Sequence, residues 1–207
     1  MDHRLRKSLA TVAEFYDQRK VGDVGPLGFR RSSDMSTLLN CTDRLITEGL
    51  ITPGKTTFLD LGCGDGRVNL FFGYLTRLSV GIECDEWTLA EYEDTRAQLE
   101  TRLQGAGLIL PPQNIFLFHG DALDRALHAD ILRQTGTELT QFDLFYTYLM
   151  MHEEFAGLLQ EKAKKNAIFM VYGLNKIMPH YEGFERLDHL SPMQGILALY
   201  RKREGDT

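Results

Sequence analysis

Residues 58–68 read Phe58-Leu59-Asp60-Leu61-Gly62-Cys63-Gly64-Asp65-Gly66-Arg67-Val68. An apolar run meets a loop with glycine at every second position, and an apolar stretch with helical spacing follows. A residue without Cβ tolerates positive φ and lets a backbone or a ligand approach closely. The first turn of the helix after such a loop has N–H groups with no partner inside the helix, and these are expected to face whatever lies in the loop. The spacing departs from G-x-G-x-x-G, whose third glycine position is held by Arg67. An acid, Asp60, stands two residues before the first glycine instead, giving D-x-G-x-G-x-G.

Strands and helices are expected to alternate outward from that loop. The strands are Thr57 to Leu61, Ser79 to Glu83, Asn114 to His119, Phe142 to Tyr148 and Ala167 to Tyr172. Between them, Val68, Phe71, Phe72 and Leu75 form a helical stripe, and Leu89, Tyr92, Leu99 and Leu103 form a longer one stopped by Gly105, Gly107, Pro111 and Pro112. Further helices are predicted from Leu123 to Gln134 and over Met151, Phe155, Leu158 and Leu159. This alternation argues for an α/β fold with a parallel sheet covered on both faces. The end differs. Phe184 to Leu190 and Gly195 to Arg201 read as two strands joined by Ser191-Pro192-Met193-Gln194, and a loop from Asn175 to Gly183 stands where another helix is expected. Before the sheet, Leu5, Leu9, Val12 and Tyr16 mark an amphipathic helix, Val21 to Gly28 a Gly/Pro loop, and Asp34 to Glu48 a second helix burying Leu38, Leu45 and Ile46 and stopped by Pro53-Gly54. The organisation is therefore a helical extension over residues 1–55 and an α/β domain over residues 56–207.

The D-x-G-x-G-x-G loop, in register with its strand and helix, resembles motif I of the class I S-adenosylmethionine (SAM)-dependent methyltransferases. That resemblance implies a Rossmann-like seven-stranded sheet, mostly parallel with a C-terminal antiparallel hairpin. It implies SAM as cofactor and S-adenosylhomocysteine as product. Asp60 would face the positively charged amino-acid end of SAM, and Gly62, Cys63, Gly64 and Gly66 would form the cofactor loop, Cys63 being a position that needs only a small side chain. An acid about 20 residues beyond such a loop is placed to accept from ribose hydroxyls, which is the position of Glu83. Cys84 would lie against the adenine edge, with Trp87 either over the ring or in the core. Asp121 would accept from the adenine amino group while the N–H of Ala122 meets a ring nitrogen, and Asp121 is also a good cap for the helix expected at Leu123. The N-terminal extension would cover the cofactor pocket or shape the substrate entrance. The combination L-G-C-G-D-G-R-V, G-I-E and F-Y-T-Y-L looks like the small seven-strand protein-lysine methyltransferases and their prokaryotic relatives.

The chemistry is expected beyond the carboxyl end of the fourth strand, where Tyr146 and Tyr148 are candidates to face the transferred methyl. His152, Glu153 and Glu154 follow, as a base, as carboxylates attracting a cationic substrate, or as the polar first turn of a helix. Glu153 is the candidate base. Tyr16, His180 and Tyr181 are candidates for the entrance. The Asn/Asp-Pro-Pro-Tyr/Phe tetrapeptide of amino-directed nucleic-acid base methyltransferases is absent, as are a cysteine at this strand end and a metal-ligand set of the catechol type. The expected acceptor is an amine of a protein or small molecule. A non-catalytic SAM- or nucleotide-binding interaction module is the alternative, and a nicotinamide oxidoreductase is disfavoured by Arg67.

The 207 residues suit one core. A net charge of -6 argues against a nucleic-acid partner, whose phosphates need a basic surface. Cys41, Cys63 and Cys84 are widely spaced, without a zinc pattern, and read as free thiols of a reducing cytoplasm. The charged start from Asp2 to Lys7 lacks the apolar stretch of a signal peptide, and no segment is apolar over a membrane-spanning length.

Overall fold

The computed structural model describes residues 1–20 and 32–204. Seven strands, β1 (Thr57–Leu61), β2 (Leu78–Glu83), β3 (Ile115–His119), β4 (Leu144–Tyr148), β5 (Ile168–Tyr172), β6 (Phe184–Arg186) and β7 (Leu197–Lys202), form one sheet. Its order is β3-β2-β1-β4-β5-β7-β6. Strands β1 to β5 run parallel, and β7 lies antiparallel between β5 and β6. The strand order reverses between β1 and β4, and the crevice beyond their carboxyl ends is where such sheets place a ligand. The register sets Asp60 of β1 beside Gly81 of β2 and Tyr146 of β4.

Alternation of side chains across the strands divides the core into two layers. Phe58, Leu144, Met170 and Leu199 face one side and pack with α1 (His3–Asp17), α2 (Met35–Thr47), α3 (Arg67–Gly73) and α4 (Glu86–Gly105). Leu59, Val80, Phe145 and Phe169 face the other and pack with α5 (Arg125–Thr135) and α6 (His152–Lys162). Phe58 stacks on Phe72 with ring centroids 4.6 Å apart. The N-terminal helices share this core, since Leu9, Val12, Tyr16, Leu38 and Leu45 are buried in the same cluster as the sheet.

Several boundaries differ from expectation for local reasons. The helix after β3 begins at Arg125, because Asp124 caps it by accepting from the Ala126 amide at 2.8 Å, while Asp121 accepts from Leu123 N at 2.9 Å in the preceding turn. Met151 is the left-handed, exposed residue before α6 and not part of its buried stripe. On α4 the buried positions include Thr88 and Thr95, and Leu89 is half-buried. The α2 helix ends before Pro53, at Glu48 and the positive-φ Gly49. The first hairpin strand pairs only from Phe184 to Arg186, since the chain turns back at Leu187, whose carbonyl accepts from Leu190 and Ser191. No helix lies between β5 and β6, where Leu174 and Tyr181 are buried against the second layer. The Gly/Pro loop expected over Val21 to Gly28 lies outside the described residues.

Candidate functional site

The glycine loop leaves β1 with three left-handed residues, Gly62 at φ 92°, Gly64 at φ 57° and Gly66 at φ 73°. Two of them do different work. A Cβ on Gly62 would meet nothing within 4 Å, whereas one on Gly66 would lie 2.6 Å from Leu117 Cδ1 and 2.7 Å from Tyr92 Cδ2. Gly62 borders open space, and Gly66 lets α3 start against β3 and α4. Five amides of this stretch are engaged from within the chain. Gly62 N and Cys63 N donate to Ile82 O at 2.9 and 2.8 Å, Gly66 N to Cys63 O at 3.0 Å, and Arg67 N to Asp65 Oδ1 at 3.3 Å. Gly64 N donates to Glu83 Oε2 at 2.9 Å.

A cavity of about 590 Å³ opens above this loop. Asp60, Asp65, Glu83 and Asp121 line it, with Arg67 as the single cation among the described residues of the lining. Asp60 is buried, and its Oδ1 has no hydrogen-bond partner. Burial above all, then the Glu83 and Asp65 carboxylates, hold the Asp60 carboxyl well above its ordinary range. Burial likewise raises the Cys63 thiol, with the neighbouring carboxylates adding to it, so Cys63 stays a protonated filler against Gly81. Glu83 also accepts from Asp85 N at 2.9 Å. Cys84, Asp121 and Ala122 stand at the same end of the cavity, Ala122 buried and the other two exposed.

Arg67 explains its own place in the loop. Its guanidinium, buried with Asp65, meets that carboxylate through Nε at 3.0 Å and Nη2 at 3.0 Å. Its Nη1 donates to Tyr16 O at 3.3 Å and Ser32 Oγ at 3.1 Å, and its Cζ lies 5.2 Å from the Tyr16 ring centroid. Asp17 then accepts from the amides of Met35 and Ser36 at 2.7 and 3.0 Å, tying the end of α1 to the start of α2. This brings Ser32 and Ser33 into the cavity wall.

At the other end stand Tyr146, Tyr148, Leu149, Met150, Met151 and Phe155. The Tyr146 hydroxyl shares a hydrogen bond with Ser33 Oγ, and the Tyr172 hydroxyl accepts from Asp34 N at 3.1 Å. Burial, ahead of every other influence, raises the Tyr146 hydroxyl well above its ordinary value. Thr147 Oγ1 donates to Leu61 O at 2.9 Å, which ties the exit of β4 to the exit of β1.

Asp60, Gly62, Cys63, Gly64, Glu83, Cys84, Asp121, Ala122, Tyr146 and Tyr148 are thus brought together. The other candidates are not. Gly66 lies outside the lining and is a packing position. Glu153 is exposed in the first turn of α6 and does not line the cavity, because the chain turns outward over Leu149 to Met151. His152 Nδ1 pairs with the Tyr181 hydroxyl at 2.6 Å, and Tyr181 packs on Phe169 and Tyr200 away from the cavity. His180 is exposed, Tyr16 is buried under Arg67, and Trp87 is 62% exposed outside the lining. Sequence reasoning missed Ser33, Asp65 and Phe155. Among the described residues no cluster of His, Cys, Asp or Glu is arranged to hold a metal ion, and no helix is long and apolar enough to cross a membrane.

No family model and no curated protein matches the sequence. Solved structures do. A tRNA methyltransferase from Aquifex aeolicus superposes with a TM-score of 0.56 at 11% identity, over 95% of this chain and 76% of its own. An RNA methyltransferase from Salinibacter ruber, crystallised with S-adenosyl-L-homocysteine, gives 0.50 at 16% identity, over 86% of this chain and 97% of its own. The chain has the seven-stranded Rossmann-like fold of class I methyltransferases.

Proposed function

We propose that the protein is a SAM-dependent methyltransferase. The observation that carries this reading is Asp60, a buried carboxyl group with an unpartnered oxygen in a cavity whose described lining holds four acids and one arginine. A buried polar atom without a partner costs free energy unless a ligand satisfies it. An acidic wall suits the ammonium and sulfonium of SAM and opposes a pyrophosphate, as do the engaged amides of Gly62, Cys63, Gly64, Gly66 and Arg67. In this reading Asp60 accepts from the amino group, Glu83 exchanges its Gly64 contact for the ribose hydroxyls, and Asp121 with the Ala122 amide meets the adenine edge beside Cys84. SAM supplies an electrophilic methyl carbon. Tyr146 and Tyr148 line the end where an acceptor would approach, and alignment with exclusion of water accounts for the acceleration. Ser32 and Ser33 in the wall support a covering role for residues 1–55.

The acceptor expected from the sequence is an amine of a protein or small molecule. The names of the two solved relatives leave an RNA base open as well. Calorimetry of the purified chain with SAM, S-adenosylhomocysteine and NAD tests the cofactor, and radiolabelled SAM incubated with fractionated host extract tests the reaction. Tighter binding of NAD than of SAM refutes the reading. Binding of SAM with no label transferred to protein, nucleic acid or metabolites favours the non-catalytic module.

A further inference from the structure

The acceptor end of the cavity has a different chemistry from the cofactor end. From Tyr146 to Phe155, and across Ser32 and Ser33, the described lining contains no charged side chain. Its polar side chains are hydroxyls, on Ser32, Ser33, Tyr146, Thr147 and Tyr148, and those of Ser33 and Tyr146 share a hydrogen bond. Among the described residues, the groups acting on Tyr146 are Ser33, Asp60 on β1, and Tyr148 and Tyr172 beside it, and Asp60, on the cofactor side, is the one carboxylate among them. Burial keeps the Tyr146 hydroxyl protonated at neutral pH, and therefore a neutral donor. The carboxylates that an ammonium would need, Glu153 and Glu154, are exposed on α6 and turned away. The mouth is apolar too. Leu149, Met150 and Met151 are 36%, 74% and 45% exposed, three consecutive apolar side chains on the rim of one cavity. A contiguous exposed apolar patch marks a binding surface, whereas scattered single residues do not. Among the described residues, the one lysine or arginine of the lining is Arg67, paired with Asp65, and the wall from Tyr146 to Phe155 carries none of the cations that a polynucleotide backbone needs.

Resting on the methyltransferase reading, we propose that the acceptor is a lipophilic aromatic small molecule presenting an uncharged nitrogen, held by Phe155 and the Leu149–Met151 rim and oriented by the Ser33–Tyr146 hydroxyl pair. An uncharged nitrogen needs no base before attack. Its lone pair forms the N–C bond as the S–C bond of the sulfonium breaks, and the bonding pair stays on sulfur as a neutral thioether. The positive charge passes to nitrogen, and any N–H proton leaves to water afterwards. Ser33 is a positioning residue here, and Met150 acts through apolar contact alone.

The experiment uses the full chain, 4-phenylimidazole and imidazole as probes, a lysine peptide and bulk tRNA, with SAM binding measured separately by calorimetry. Turnover and binding to the S-adenosylhomocysteine complex should favour 4-phenylimidazole over imidazole by roughly tenfold or more, the worth of added apolar surface in a pocket. Binding should strengthen as pH rises through the pKa of the probe, near 6.5 for an imidazole. Met150→Glu should raise KM for 4-phenylimidazole by about tenfold with kcat and SAM affinity unchanged. Ser33→Ala should lower kcat with little change in KM. Absence of SAM binding overturns the methyltransferase reading itself. With SAM bound, preferred methylation of the lysine peptide or tRNA, tighter binding of the protonated probe, or no binding of 4-phenylimidazole overturns this inference alone.

Discussion

The Gly64 amide donates to the Glu83 carboxylate across 2.9 Å, from the turn after β1 to the end of β2. The carboxylate proposed for the ribose therefore accepts from the loop. Hydrogen bonds to a charged group contribute about 1.5–3 kcal/mol. Replacing Glu83 by Ala should weaken SAM binding by about that amount in calorimetry. The loss should exceed that of Asp121→Ala, since Asp121 is exposed. A much larger effect at Asp121 would mean that the ribose partner is misassigned.

Asp60 links binding to pH. Its folded-state pKa lies above the ordinary carboxylate value, first through burial and then through Glu83 and Asp65. A raised folded pKa contributes stability at low pH that is lost as pH climbs from the ordinary carboxylate range through the folded value. The ligand-free protein should accordingly gain stability at neutral pH on Asp60→Asn, seen as a higher Tm, while SAM affinity falls. A cation arriving beside the Asp60 carboxyl lowers its raised pKa, so within that window SAM binding should release protons and tighten as pH rises. Calorimetry in two buffers of different ionisation heat reads this directly. Identical observed heats in both would remove Asp60 from the ammonium site.

The Asp65–Arg67 pair predicts a stability effect distinct from ligand binding. Both side chains are buried, and Arg67 alone reaches Tyr16 and Ser32. Removing one partner of a buried pair leaves an uncompensated charge and costs about 3–5 kcal/mol. Arg67→Met should lower stability in urea by that order. Asp65→Asn with Arg67→Met together should recover part of the loss, because no orphaned charge then remains. A double variant no better than the single would show that the contacts to Tyr16 and Ser32 carry the effect instead of the charge pair.

Local spacing made some of this site legible and left the rest hidden. Asp60, Gly62 and Gly64 sit where a strand, a loop and a helix in fixed succession must put them, and Glu83 follows because the next parallel strand ends beside the first. Ser33 belongs to no such pattern. It enters the wall through a hydrogen bond to Tyr146, 113 residues away in the chain, which depends on Asp17 and Arg67 folding the end of α1 onto the loop. Glu153 was misplaced because the left-handed Met151 turns the first turn of α6 outward. Asp124 was overlooked as a cap because Asp121 offered an equally good one three residues earlier.

Gly62 borders open space and Gly66 is packed against side chains, so alanine separates a proposed ligand contact from a packing position. Both Gly62 and Gly66 have positive φ, a conformation that costs an L-residue about 1–2 kcal/mol. At Gly62 the added methyl meets nothing within 4 Å, at a residue of the cavity lining. Gly62→Ala should therefore lose about 1–2 kcal/mol of stability yet bind SAM far more weakly. At Gly66 the methyl meets Leu117 and Tyr92 at under 3 Å, adding an overpacking cost of about 1–3 kcal/mol to the backbone strain. Gly66→Ala should show the larger drop in Tm and, in the fraction that remains folded, an affinity for SAM closer to that of the unmodified chain. Gly64→Val, at the amide that Glu83 holds, should abolish binding. If Gly66→Ala keeps its stability and loses SAM instead, Gly66 belongs to the cofactor contact and its packing role is wrong.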